Sequence, residues 1–453
     1  MFLQRISFLA VLVLVSVAPG AAWAQRMSFI RDAEIENTIR MYATPLFEQA
    51  GVDPQAVQIH LVKEKQLNAF VAGGLNLFLN TGLIIRTEHP GQLIGVIAHE
   101  CGHIAGGHLV RGAEAYQNAY YESIASMILG VAAGVASGRG DVGSAIAMGG
   151  SEGAMRNLLA FSRTQESSAD SAGVTFLDNL HYSSRGFLEF MQLLGDQELL
   201  VSARQDPYVR THPLTRERVE FIQNHVETSP WSNAPVPPQY VEPHRRMRAK
   251  LFAFMELPVT TLARYKEDDR GIDARYARAI AYYRKPDMAK AIPAIDELIA
   301  ERPNDPYFAE LKGQMLFENG HPLEAIPDYK RAIKLLPDNA LLREELGQVE
   351  VEAEDPALLA DAKEQLTYAT RRDPESASAW RLLGIAYGRG GDEPMAAASM
   401  AEYALLTEHW AEAIYDADKA DRGLKRGSPA ELRMQDIRSL AEQGRDRAKQ
   451  QER

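Results

Sequence analysis

A single cysteine, Cys101, is found in 453 residues, so no intramolecular disulfide can staple this chain. Positive charge is also short: 49 lysines and arginines face 61 aspartates and glutamates, for a formal charge of −12. Such an acidic balance is a poor match to a phosphate backbone and sets nucleic acid aside as a partner. Long apolar runs are scarce as well. The run from Ile6 to Val17 is too short for a bilayer span, which needs about 20 residues. It follows Arg5 and precedes Ala22-Trp23-Ala24 and Gln25, the pattern of a cleavable secretory signal over residues 1–24. No cysteine follows it to carry a lipid, so the expectation is a soluble exported protein. Export without disulfides suits a bacterial periplasm. Since Arg5 is the only charge in the signal, the remaining chain is near −13.

A second apolar stretch, Ser123 to Gly150, is rich in Gly, Ala and Ser and is interrupted by Arg139 and Asp141, so neither piece spans a bilayer. Two readings fit it equally: a buried helical hairpin, or a mobile lid that touches substrate or a membrane surface.

What is present divides the chain. Residues 25–228 mix helical periods with a strand-like stretch and hold the candidate chemistry. Residues 229–246 are proline-rich, with Pro230, Pro235, Pro237, Pro238 and Pro243, and read as a stiff linker. Residues 247–453 repeat. Ala291, Ala325, Ala362 and Ala396 recur in phase with Gly313, Gly347 and Gly384 and with Pro303, Pro337 and Pro374. A period of about 34 residues with these punctuating residues is the tetratricopeptide signature. Trp380, Leu383, Gly384, Tyr387 and Ala396 give the best-formed unit, and the extra residues near Glu354-Asp355-Pro356 fall in a turn. Ser428-Pro429 caps a charged terminal helix expected to close the solenoid.

The strongest chemical signal is His99-Glu100-Cys101-Gly102-His103. On a helix, positions i and i+4 share a face, so His99 and His103 can offer two imidazoles to one metal ion, with Glu100 placed to take a proton from water. A zinc peptidase needs a third ligand, and Glu166 is the candidate. Asp170 lies one turn on and can fix the tautomer of a ligand imidazole. The longer form HExxHxxGxxH fails, because Leu109 stands where its third histidine belongs. A continuing helix would turn His108 about 100° from that direction, so His108 reads as structural. Cys101 points away from the metal-binding face and reads as a small buried hydrophobe. By composition alone, His212 before Pro213 is a turn residue.

The segment Asn68 to Leu83, the HExxH helix, Glu166-x-x-Ala169-Asp170 and Thr211-His212-Pro213-Leu214 through Arg218 occur in that order. Together they resemble the HtpX-like, prenyl-protease-like zinc metallopeptidases, metallopeptidase family forty-eight. Cys101 departs from that family's usual aliphatic residue, at a position that is not a ligand. The resemblance implies one Zn2+ per chain held by His99, His103 and Glu166, Glu100 as catalytic base, and a catalytic or proton-donating Asp170. It brings His212 to the zinc, either as an oxyanion donor or as an occupant of the fourth metal position that holds the enzyme off. Phe70 to Leu79 resembles an edge strand that binds extended peptides, and Arg218 reads as a structural brace. With the signal and the repeats, the implied partners are unfolded or misassembled proteins, outer-membrane barrel proteins and their assembly machinery.

The resulting expectation is a mostly α protein: an α+β zincin-type metallopeptidase domain followed by an all-α solenoid, acting as an exported zinc endopeptidase. The alternative is a periplasmic chaperone or scaffold in which the repeats dominate. Retention of Glu100, Glu166 and Asp170 together favours the enzyme.

Overall fold

The computed structural model describes residues 28–72, 75–108, 162–198, 212 and 214–451. The signal segment 1–24 and the stretch 123–150 lie outside the described residues. The first elements are β1 (Phe29–Ile30), α1 (Ala33–Gln49), β2 (Gln58–Val62), β3 (Ala69–Ala72), β4 (Asn76–Asn80), α2 (Thr81–Arg86) and α3 (Pro90–Ala105). The sheet order is β1-β2-β4-β3, with β2 parallel to β4 and both outer strands antiparallel to their neighbours. The Phe70 to Leu79 segment, expected as one edge strand, is therefore an antiparallel pair, and only β3 lies at the edge.

Asp32 starts α1 by accepting a hydrogen bond from the Ile35 amide. The opening of α3 has Pro90 in its first turn, where a missing N–H costs no intrahelical bond. Every residue of α3 from Pro90 to His103 is buried, so the HExxH run lies in the domain core rather than on its surface. Helices α4 (162–179) and α5 (Arg185–Glu198) pack against α3, and α6 (Arg216–Thr228) packs against α5. Cys101 is fully buried in this core and free.

The expected linker over 229–246 is corrected by the structure. Helix α7 runs from Pro238 to Met255 and contains Pro243. Pro237 and Pro238 sit at its start, where proline is tolerated, and Pro243 forfeits a single backbone bond early in the helix. What makes that loss affordable is burial on both flanks. Tyr240, Met247 and Leu251 pack into the peptidase core, while Ala249 and Ala253 pack into the repeats. Between them Lys250, 1 % exposed, sets its Nζ 2.8 Å from Asp32 and 3.4 Å from Glu34, and Arg246 reaches Glu34 at 2.7 Å. The two halves are joined by a shared helix carrying a buried ion-pair network.

A short α8 (Pro258–Arg264) leads into helical pairs: α9 and α10 (Ile272–Arg284, Met288–Glu301), α11 and α12 (Pro306–Glu318, Pro322–Leu335), α13 and α14 (Ala340–Glu352, Leu359–Arg372), α15 and α16 (Ala377–Arg389, Glu393–Leu406), α17 and α18 (Trp410–Asp421, Pro429–Gln451). The repeated glycines are where paired helices touch. A Cβ on Gly313 would meet the Tyr329 ring at 2.8 Å, and one on Gly347 would meet Leu366 at 2.5 Å. Each phased alanine lies buried in a second helix, and each phased proline lies in a turn between pairs. The last helix contributes Met434, Ile437 and Ala441 to the terminal core, as expected of a cap.

Candidate active site and metal centre

Helix α4 crosses α3 at small residues. A Cβ on Gly102 would lie 2.5 Å from the Ala169 carbonyl oxygen, and one on Gly173 would lie 3.2 Å from the backbone of Ala98. This close approach brings one turn of α4, Glu166 to Asp170, against one turn of α3, His99 to His103.

The donors converge. His99 Nε2 and His103 Nε2 are 3.1 Å apart. Glu166 reaches them at 3.3 Å (Oε2 to His99 Nε2) and 3.4 Å (Oε1 to His103 Nε2). His212, the residue that only the resemblance brings here, places Nδ1 3.3 Å from His99 Nε2 and 3.2 Å from both Glu166 oxygens. One donor atom from each of these four buried residues falls within 4.8 Å of the others. Ligand bonds of about 2.0–2.1 Å in a tetrahedron put neighbouring donors about 3.3–3.4 Å apart, so these separations suit a small tetrahedral cation.

Glu100 is fully buried, and among the described residues neither carboxylate oxygen has a hydrogen-bond partner. His212 Nε2 lies 3.6 Å from its Oε1. Burial pushes the Glu100 carboxyl above its usual range. An unpartnered buried carboxylate facing the donor set is expensive unless something supplies a proton donor there, and a water bound at the site would do so.

Outer contacts hold this arrangement. Asp170 Oδ1 lies 2.8 Å from His99 Nδ1, leaving Nε2 for the donor set. Arg218, at the first turn of α6, donates from Nε to Asp170 Oδ2 at 2.6 Å and from Nη2 to Oδ1 at 2.9 Å, and its Nη1 lies 2.9 Å from Glu166 Oε2. The expected brace thus links both acidic residues of α4. Burial pulls the His99 imidazole down, but hydrogen bonds to the Asp170 and Glu166 carboxylates outweigh it and raise it to about 9. Burial favours protonation of Glu166 and Asp170, yet bonds from His212 and His99, and from His99 and Arg218, hold both below the ordinary carboxylate range.

His108 keeps the supporting position that helix spacing implies, off the metal-binding face, but its contact partner does not follow from spacing. Its Nδ1 lies 3.0 Å from His103 Nδ1, on the ring nitrogen turned away from the donor set. Helix α3 ends at Ala105, and Gly107 adopts the left-handed φ of 61°, so the chain folds His108 back over His103. The two glycines at 106 and 107 were the available signal. Leu109 and the segment that follows it lie outside the described residues.

Two inward histidines, a crossing carboxylate and an adjacent buried glutamate define a metal-dependent peptidase. Residues 30–226 match peptidase family M48, and residues 260–306, 311–358 and 359–420 match the tetratricopeptide repeat, so the chain is a metallopeptidase carrying a peptidase family M48 domain followed by tetratricopeptide repeats. It is 24% identical over 395 residues to the beta-barrel assembly-enhancing protease of Yersinia pestis, covering 83% of this chain and 76% of that one. It is 23% identical over 415 residues to the Escherichia coli K12 protein of that name, covering 89% and 82%. Among solved structures, YrrB, described as a TPR protein with an unusual peptide-binding site, covers 39% of this chain and 91% of its own at 18% identity and a TM-score of 0.32.

Proposed function

We propose that this chain is an exported, periplasmic zinc endopeptidase acting in the quality control and assembly of outer-membrane β-barrel proteins. The observation that carries the enzymatic part is the convergence of His99, His103, Glu166 and His212 at tetrahedral separations beside an unpartnered buried Glu100. His99, His103 and Glu166 would hold the zinc, which would supply Lewis acidity for the scissile carbonyl and for water. Glu100 takes the proton of the attacking water and delivers it to the leaving amine. Asp170 fixes the His99 tautomer, and Arg218 fixes Asp170 and Glu166. His212 Nδ1 lies within the same donor set, so in this arrangement His212 would take the fourth position, and peptide cleavage would require it to swing away.

Strand β3 supports a backbone-reading substrate mode. Among the described residues it lies at the sheet edge and packs against α3, the position from which a strand can pair its main chain with an extended peptide. Export follows from the leader pattern at residues 1–24, and among the described residues no helix is long and apolar enough to cross a membrane. The barrel-protein clientele rests on the names of the relatives, and the repeat array is the proposed docking surface for client and assembly proteins. Incubating the mature chain with a misassembled barrel precursor tests the assignment. Loss of the precursor that chelation blocks is expected; a precursor left intact by zinc-loaded protein with His212 removed would overturn it.

A further inference from the structure

At the opposite side of α7 from the ion-pair network, a cleft of about 510 Å³ opens between the sheet end, α2, α5 and the start of the repeats. Its walls include Lys65, Arg86, Arg248 and Arg264 against only two carboxylates, Glu88 and Glu256. On a chain with net charge −12, this local excess runs against the whole.

One of the carboxylates is already used: Glu256 Oε1 lies 2.7 Å from Lys65 Nζ. Among the described residues, none of the three arginines makes an ion pair. Arg248 is half-buried and donates only to main-chain oxygens of Ile85 and Glu88, at 3.3 Å each. Arg264 lies flat over the Phe252 ring at 4.3 Å, and Arg86 is exposed. Burial and the repulsion of Arg264 both push the Arg248 guanidinium below its ordinary value. Guanidinium groups that outnumber the carboxylates around them and form no ion pair among the described residues suit an oxyanion, which they can grip with paired hydrogen bonds.

The rim favours one source of that oxyanion. Helix α8, which carries Arg264, is led by Leu257 and contains Val259, 66 % and 69 % exposed. No large hydrophobic among the described residues is more exposed than Val259. Apolar side chains held out beside a cationic cleft match a lipid surface, where phosphate lies at the headgroup level and acyl chains lie just beneath. A small soluble phosphate would give Leu257 and Val259 nothing to contact.

We propose that this cleft is a peripheral membrane-docking site that takes the phosphate of an anionic phospholipid headgroup, with Leu257 and Val259 entering the acyl boundary. Docking there would hold the peptidase at a membrane surface without a spanning helix.

The test is co-sedimentation of the mature full chain with vesicles of phosphatidylcholine alone and of phosphatidylcholine mixed equally with phosphatidylglycerol, alongside calorimetry with inorganic phosphate. Binding to the anionic vesicles that weakens with salt is expected. Arg86→Glu/Arg264→Glu changes exposed side chains and should weaken binding roughly thirty-fold or more, at about five-fold per lost cation. Leu257→Ser/Val259→Ser should weaken it independently, with casein cleavage unchanged in both variants. Anionic-vesicle binding that survives both double variants would overturn the site. Tight binding of inorganic phosphate with no preference between the vesicles would assign the cleft to a free anion and overturn the lipid source. No vesicle binding at all would also refute the proposal.

Discussion

Gly102 and Ala169 touch backbone to backbone: a Cβ at position 102 would lie 2.5 Å from the Ala169 oxygen and 2.8 Å from its Cα. That contact sets the distance between the two helices that bear His99, His103, Glu166 and Asp170. Gly102→Ala therefore has two opposed effects. Helix propensity favours alanine by about 1 kcal/mol, while overpacking against a rigid backbone costs about 1–3 kcal/mol. The net expectation is a lower melting temperature together with weaker zinc retention in dialysis. An alanine variant with wild-type zinc content and unchanged melting would show that the crossing does not set the site.

Arg218 holds Asp170 by two hydrogen bonds and reaches Glu166 by a third nitrogen. Asp170→Asn removes the charge that orients His99, and loss of such an outer contact costs about 10–100-fold in metal affinity. Arg218→Ala should act in the same direction by freeing both carboxylates. Zinc titration against a competing chelator reads both. Wild-type affinity in each would leave His99 oriented by something else.

On the proposed closed arrangement, His212 takes the position that a water needs. His212→Ala should leave zinc bound through the other three residues and raise casein cleavage by roughly tenfold, as expected when a closed arrangement predominates by about that ratio. A fall in cleavage would instead assign His212 to the oxyanion.

Glu350 in the repeats is buried with both oxygens lacking hydrogen-bond partners, and burial, then its contact with Asp361, raises its carboxyl to about 8. A carboxyl raised in the folded chain binds its proton more tightly there than in the unfolded chain, whose value is 4.5. Stability from this group is thus present at low pH and is lost as pH climbs from about 4.5 to about 8. The melting temperature of Glu350→Gln minus that of wild type should grow between pH 5 and pH 8; a flat difference would contradict the raised value.

Much of this site is written locally. The i,i+4 spacings of His99 with His103 and of Glu166 with Asp170 follow from helix geometry alone, and so does the phase of Gly313, Gly347 and Gly384 in the repeats. Contacts made by crossing helices are not local. Nothing in the spacing says that Gly102 meets Ala169, or that Arg218 spans two carboxylates of α4. His108 is a supporting residue, as its offset from the metal-binding face implies, but its contact with His103 depends on the turn at the left-handed Gly107, which helix spacing does not foresee. Pro243 was read as a helix breaker, yet burial of α7 against two cores outweighs one missing bond.

The most direct measurement pairs zinc content with casein cleavage in the mature wild type, His212→Ala and Glu100→Gln. Stoichiometric zinc in all three, with cleavage in the first two and none in Glu100→Gln, is the predicted result. Cleavage that persists in Glu100→Gln, or absence of zinc from the wild type, would contradict the central claim that this donor set is a peptidase site with Glu100 as its base.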